Sequence, residues 1–286
     1  MSGRVDKQWQ SKGLDTFSTE AILGTLAHYG VPMTEAGFIA LAAERFPVRI
    51  ASEWTHEWKG TGQFKPFPFA AADELWRRLL PGTPHSGDVI IALERLMEAL
   101  AGALHGQRDD GTLETRFKVV EAYLAARPPE RVVDFSWDVL AGLGDEGQDI
   151  FDELAELLAE KGLDELAERF VRIEESLLPE RVGVTRACMQ AAKGDEPGAI
   201  TALTELAKHG ALGVRVEAID RLMDLDELHL AADAALAAQP DFKGDEVSAP
   251  DLVELMLVLA READDEALAK RLSAAAEALL DAIGAV

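Results

Sequence analysis

Three stretches in the second half of the chain share one pattern: LDELAERF at 163–170, GDEPGAIT at 194–201 and LDELHLAA at 225–232. They align without gaps, so 31 residues separate Asp164 from Asp195 and again Asp195 from Asp226. A period of about 30 residues accommodates two helices and the turns that join them. A helical pair of that size is too small to bury its apolar face alone, so it must stack on its neighbours. The pattern therefore predicts an α-solenoid in a chain of the all-α fold class, preceded by a small helical unit.

A fourth copy of the pattern, DEALAKRL at 265–272, extends the repeat to the end of the chain. Its Asp265 follows Asp226 by 39 residues, and the loop at 239–250 readily supplies the additional length. Between 113 and 144, two further amphipathic segments separated by Pro128 and Pro129 predict an atypical first pair that covers the N-terminal end of the array.

Two segments of the repeat resemble a known family. VRVEAIDRL at 214–222 resembles the Val-Arg-x-x-Ala-x-x-x-Leu helix of HEAT repeats, and 194–206 resembles the Gly-Asp turn and helix of that family with one residue inserted before Ala199. The resemblance spans about 145–286. It implies a right-handed α-solenoid of HEAT-like pairs whose concave face holds another protein, as a scaffold, adaptor or inhibitor. The copy at 145–175 lacks the Val-Arg pair, which leaves other α-solenoid families open.

The repeated aspartates have two interpretations. Each stands where the second helix of a pair begins, and there an Asp accepts hydrogen bonds from free backbone N–H groups and complements the helix dipole. Stacked repeats would also align these residues into an acidic ridge, to which a basic protein or a Lys/Arg-rich segment could be steered. The candidate partner-binding residues of the array are Asp164, Asp195, Asp226 and Asp265.

Charge divides the chain into two regions. The formal net charge is −24, and residues 1–100 hold 10 basic and 12 acidic side chains against 18 and 40 in 101–286. Aromatic residues show the opposite trend, with 11 of 18 at or before Trp76. The polar stretch 106–112 predicts the boundary between a 1–106 region and a 112–286 array. Direct nucleic-acid binding is not expected, because it needs clustered Lys and Arg.

The first region begins with two helix signals, Ser18 and Thr34, followed by a change of period. From Ile50 the period changes to two, with one face shared by Ile50, Ser52, Trp54, His56 and Trp58. This period predicts a β-hairpin near 48–69. Two prolines make its returning segment an edge strand or an ordered loop. This order of elements also occurs in winged-helix DNA readers, but the helix at 35–46 is too apolar to read bases.

The same region holds the densest aromatic cluster of the chain, which includes Trp54, Trp58 and Phe64. One interpretation is a core around the hairpin. The other is an exposed patch that anchors a partner, because Trp and Phe concentrate binding energy at the centre of interfaces. The three residues are therefore candidate partner-binding residues.

No motif predicts a catalytic, metal or cofactor site. His56 has no second His four residues later, no calcium loop occurs, and the glycine pairs lack the lysine of a phosphate loop. Cys188 alone excludes a disulfide framework, and no signal peptide or membrane-spanning run is apparent, which favours the cytoplasm. A non-enzymatic protein-binding module is the leading hypothesis. The alternative is a small-ligand-binding protein or enzyme with a site where the N-terminal region meets the array.

Overall fold

The computed structural model describes residues 4–107 and 111–284. Within these residues the chain forms α-helices and short 3₁₀ turns without a β-strand, so the all-α prediction is confirmed. Contacts divide the chain into two compact units, Met1–Phe151 and Asp152–Val286.

The first unit contains seven complete α-helices and the beginning of an eighth among the residues described. They are α1 (Trp9–Lys12), α2 (Thr19–His28), α3 (Glu35–Ala42), α4 (Pro47–Thr55), α5 (Phe67–Leu79), α6 (Ser86–Leu104), α7 (Thr112–Ala125) and α8 (Val132–Glu160). Ser18 and Thr34 cap α2 and α3 as predicted, because their side chains accept hydrogen bonds from the N–H groups of Ala21 and Gly37. Gly144 interrupts α8 with φ 69° and ψ 173°, values that are not helical.

The predicted hairpin near 48–69 is wrong. The segment forms α4, a 3₁₀ turn at Gly62–Phe64 and the beginning of α5. Pro47 occupies the first turn of α4, where a missing N–H is harmless and the fixed φ suits a helix. Ile50, Ala51 and Trp54 form the buried face of α4 at helical spacing, whereas Trp58 lies beyond its end. The period of two arose from residues that belong to a helix and to the turn that follows it.

The predicted boundary at 106–112 and the division by contacts lie at different points. Residues 108–110 of that stretch lie outside the described residues, but α6 and α7 pack against each other on either side of it. The contacts group α7 with the first unit. The position at which the chain becomes acidic therefore differs from the position at which one compact unit ends and the next begins.

The second unit is a series of helices that pack consecutively. After the C-terminal part of α8 come α9 (Asp164–Leu177), α10 (Val182–Ala192), α11 (Glu196–His209), α12 (Leu212–Asp224), α13 (Leu228–Ala238), α14 (Ala249–Glu262) and α15 (Glu266–Gly284). Each packs on the next, and α11 also packs on α13 and α12 on α14. This arrangement is compatible with a helical repeat, and the four repeated Asp-Glu pairs fall at the N-terminal ends of α9, α11, α13 and α15.

Candidate functional site

The aromatic cluster lies mainly inside the first unit. Trp54 and Phe64 are only 6% and 7% exposed, and Trp58 is partly exposed. The Trp58 ring stacks on Phe67 with centroids 5.7 Å apart, and its Nε1 donates a hydrogen bond to the Phe64 carbonyl at 2.8 Å. These contacts give the three residues a packing role. Their assignment to partner binding stays a prediction.

Eight large apolar side chains among the described residues of this unit are exposed, and none of them was predicted as a binding residue. Phe69, Ile91, Val119, Tyr123 and Trp137 each expose at least 40% of their surface. Two of them line a cavity of about 360 Å³ between α4, α5, α6 and α8, together with Val48, Ile90 and Gly142. A Cβ at Gly142 would lie 2.2 Å from Ile90 Cδ1, so this glycine allows α8 to approach α6 closely.

A second cavity, of about 440 Å³, lies on the other side of Ile91, between α5, α6 and α7. We call it the arginine pocket. Its cationic side chains are Arg77, Arg95 and Arg116, and its other lining residues include Asp88, Thr115, Val119 and Tyr123. No sequence signal indicated it, because the three arginines are distributed over three helices.

Asp138 connects three helices of the first unit. Its carboxylate accepts hydrogen bonds from the backbone N–H groups of Val48 at 3.2 Å and Arg49 at 2.8 Å, and from Ser86 Oγ at 2.5 Å. No side chain of its own segment caps α4, so Asp138 satisfies the free donors of that helix from α8. The side chain is completely buried, and this burial raises the pKa of its carboxyl group.

The four repeat aspartates are exposed, and they differ in what they contact. Asp195 accepts a hydrogen bond from Gly198 N at 3.2 Å, and Asp265 accepts one from Ala267 N at 2.8 Å. Asp226 has φ 62° and caps no helix, whereas Asp164 forms an ion pair with Lys193 at 2.8 Å. The helix-capping prediction is therefore met at two of the four positions.

The Asp164–Lys193 ion pair connects two neighbouring copies of the sequence pattern. Lys193 lies two residues before Asp195, in the turn between α10 and α11. The pair therefore brings the first residue of α9 next to the turn before α11.

No family model, no curated protein and no solved structure matches this chain. The candidate functional site is therefore inferred from the residues of this chain alone. In the part of the chain that the structure describes, no group of three or more His, Cys, Asp or Glu residues could hold a metal ion. Across the same residues, no helix is both long and apolar enough to cross a membrane.

Charged side chains form a partly buried network in the second unit. Arg181 contacts Asp152 and Glu217, the latter at 2.6 Å from its Nε, and Thr185 Oγ1 donates a hydrogen bond to Glu174. Glu174 is completely buried, and among the described residues its Oε2 has no hydrogen-bond partner. Burial raises the pKa of Glu174 to about 7, although the Thr185 hydrogen bond and the charge of Arg181 oppose the shift.

The second unit has a large excess of negative charge. It contains 30 Asp and Glu residues against 13 Lys and Arg residues, a net charge of −17. Much of the positive charge is already paired with carboxylates, at Arg181, Arg186, Lys193, Lys208, Arg215 and Arg221. The excess carboxylates must therefore be balanced by mobile ions or by a partner.

Proposed function

We propose that the protein is a non-enzymatic protein-binding module, acting as a scaffold, adaptor or inhibitor. In this proposal the second unit is a HEAT-like array that binds a basic protein or a Lys/Arg-rich segment. The observation that carries it is the net charge of −17 on a unit built of consecutively packed helical pairs. A cytoplasmic location belongs to the same proposal.

The contacts of Arg215 support the HEAT-like part of the proposal. This is the arginine of the Val-Arg pair that resembles the family, and it is only 7% exposed. Its Nε donates a hydrogen bond to the Ala207 carbonyl at 3.0 Å, and its Nη1 pairs with Asp241 at 2.8 Å. The side chain thereby joins α12 to the end of α11 and to the turn that follows α13. One motif residue thus connects successive pairs of the array.

The acidic turns support the choice of partner. Asp195 and Asp226 are exposed, and no Lys or Arg among the described residues pairs with either. Exposed carboxylates of one sign raise the local concentration of a cationic partner and accelerate its association, and this effect weakens as salt is added. A partner with a basic surface should therefore associate fast and in a salt-dependent way.

Charge removal at two turns tests the proposal. We expect the double variant Asp195→Asn and Asp226→Asn to lower the association rate constant of the partner about threefold to tenfold at low salt. Asn caps a helix as well as Asp does and tolerates a positive φ, so both turns keep their backbone. The partner is first isolated with the full chain at about 0.1 M and 0.5 M salt, between which the screening length falls about twofold. Association of the purified pair is then measured by stopped flow.

A matched control removes the same two charges from the first unit, through Asp15→Asn and Glu57→Gln, both at exposed positions. The control should associate at the wild-type rate. The proposal fails if no stoichiometric protein is captured at either salt concentration, or if the two double variants associate equally fast while both remain folded.

One observation favours the alternative, a small-ligand site where the N-terminal region meets the predicted array. The arginine pocket is lined by α5 and α6, which lie within 1–106, and by α7, which begins at Thr112. Its volume of about 440 Å³ lies within the range of small-molecule sites.

A further inference from the structure

The arginine pocket gathers positive charge on a chain whose net charge is −24. Arg77 is neutralised, because its guanidinium lies 3.3 Å from Asp73 and 3.0 Å from Asp88. The other two arginines differ from it in this respect.

Neither Arg95 nor Arg116 has a carboxylate partner among the residues that the structure describes. The Arg116 guanidinium donates a hydrogen bond to the backbone carbonyl of Arg95, which holds it across the space between α7 and α6. A hydrogen bond to a neutral carbonyl satisfies a donor and leaves the positive charge in place. Two uncompensated guanidinium groups therefore line one cavity.

An apolar and aromatic face forms another part of the pocket wall, and the one carboxylate among the described lining residues, Asp88, is paired with Arg77. Ile91, Val119 and Tyr123 expose 40%, 41% and 40% of their surface, so a hydrophobic face borders the two cations. Thr115 adds a hydroxyl group to the lining. Convergent polar groups beside an apolar wall are typical of small-molecule sites.

We propose that the arginine pocket binds a small phosphorylated molecule. Arg95 and Arg116 hold its phosphate, and Tyr123, Val119 and Ile91 contact its planar or apolar part. A phosphate monoester carries a charge of about −1.5 to −2 at pH 7, which matches the charge of two guanidinium groups. A single carboxylate would neutralise only one of these guanidinium groups. Guanidinium also matches the geometry of phosphate oxygens through paired N–H donors.

This inference rests on the ligand-binding alternative and not on the protein-binding module. The residues of the arginine pocket all belong to the first unit, whereas the acidic turns belong to the second. Titration with a small molecule therefore tests the pocket alone, and either proposal can fail while the other stands.

The experiment is isothermal titration calorimetry of the full chain at low salt with three probes: AMP, inorganic phosphate and adenosine. AMP should bind with a Kd below about 1 mM, the weak end of specific small-ligand affinity. Inorganic phosphate should bind more weakly, because it lacks the planar group, and adenosine should not bind measurably, because it lacks the oxyanion. Equal affinity for AMP and inorganic phosphate would contradict the proposed contact between the apolar wall and the ligand. The absence of binding by both would overturn the proposal.

Variants then connect the binding to the pocket. Arg95→Gln and Arg116→Gln should each weaken AMP binding about tenfold, since a hydrogen bond between charged groups is lost. Arg95 is exposed, so its variant should retain the wild-type melting temperature. Arg4→Gln removes the same charge from another exposed position of the first unit and should bind AMP normally. Unchanged AMP affinity in both pocket variants, or equal weakening in Arg4→Gln, would overturn the assignment.

Discussion

Replacement of Asp138 by Ala is expected to lower the free energy of unfolding of the first unit by about 3 to 5 kcal/mol. The change leaves three donors without their acceptor: the partly buried N–H groups of Val48 and Arg49 at the beginning of α4, and the buried hydroxyl of Ser86. An unsatisfied buried donor costs about 1 to 3 kcal/mol, and entry of water into the vacated space recovers part of the sum. Urea unfolding followed by circular dichroism measures the difference.

Asp134→Ala is the matched control for this prediction. Asp134 lies one helical turn earlier in α8, and its side chain is 46% exposed and 3.8 Å from Arg49 Nη1. An exposed ion pair and a first-turn acid contribute less than about 1 kcal/mol. Similar losses for Asp138→Ala and Asp134→Ala would show that Asp138 does not hold the three helices together.

Glu174→Gln is expected to stabilise the second unit by about 3 kcal/mol at pH 8 and by almost nothing at pH 4.5. The pKa of Glu174 is about 7 in the folded chain against an ordinary value of 4.5, so the folded state retains the proton that the unfolded state loses. The contribution of Glu174 to the free energy of unfolding therefore falls as the pH rises above 4.5. Each pKa unit corresponds to about 1.4 kcal/mol, which gives the size of the effect.

The measurement is a series of thermal or urea unfolding curves between pH 4.5 and pH 8 for the wild type and the variant. Gln has the shape of Glu without a charge, so the difference between the two curves isolates this titration. Glu175→Gln is the control, because Glu175 is the next residue of α9 and is exposed. A constant difference across the pH range would contradict the assigned pKa shift.

The sequence allowed the helical pairs of the second unit to be predicted because their signals are local. Each Asp-Glu pair lies at the N-terminal end of a helix, so the beginnings of four helices could be placed before any contact was known. Even there the capping role holds for Asp195 and Asp265 alone. At Asp226 the positive φ moves the cap position to Glu227, whose side chain makes no cap hydrogen bond.

The first unit was predicted less well because its decisive contacts are distant in sequence. Val48 and Asp138 are 90 residues apart, and the arginine pocket combines residues of α5, α6 and α7. In sequence, Asp138 is one polar position of an amphipathic helix, and nothing local distinguishes it from Asp134. The hairpin was wrong for the opposite reason, since a short alternation outweighed the helix signal of Pro47.

Cys188 is a natural thiol probe for the opening of the second unit. It is the only cysteine of the chain, it is 8% exposed, and burial raises the pKa of its thiol to about 12. Alkylating reagents react with the thiolate form of cysteine. In the folded state the Cys188 thiol is shielded and almost entirely protonated at neutral pH, so its alkylation is slow. Separation of α10 from its neighbours would expose the thiol and accelerate its alkylation. The rate of labelling therefore reports on the opening of the second unit without any engineered probe.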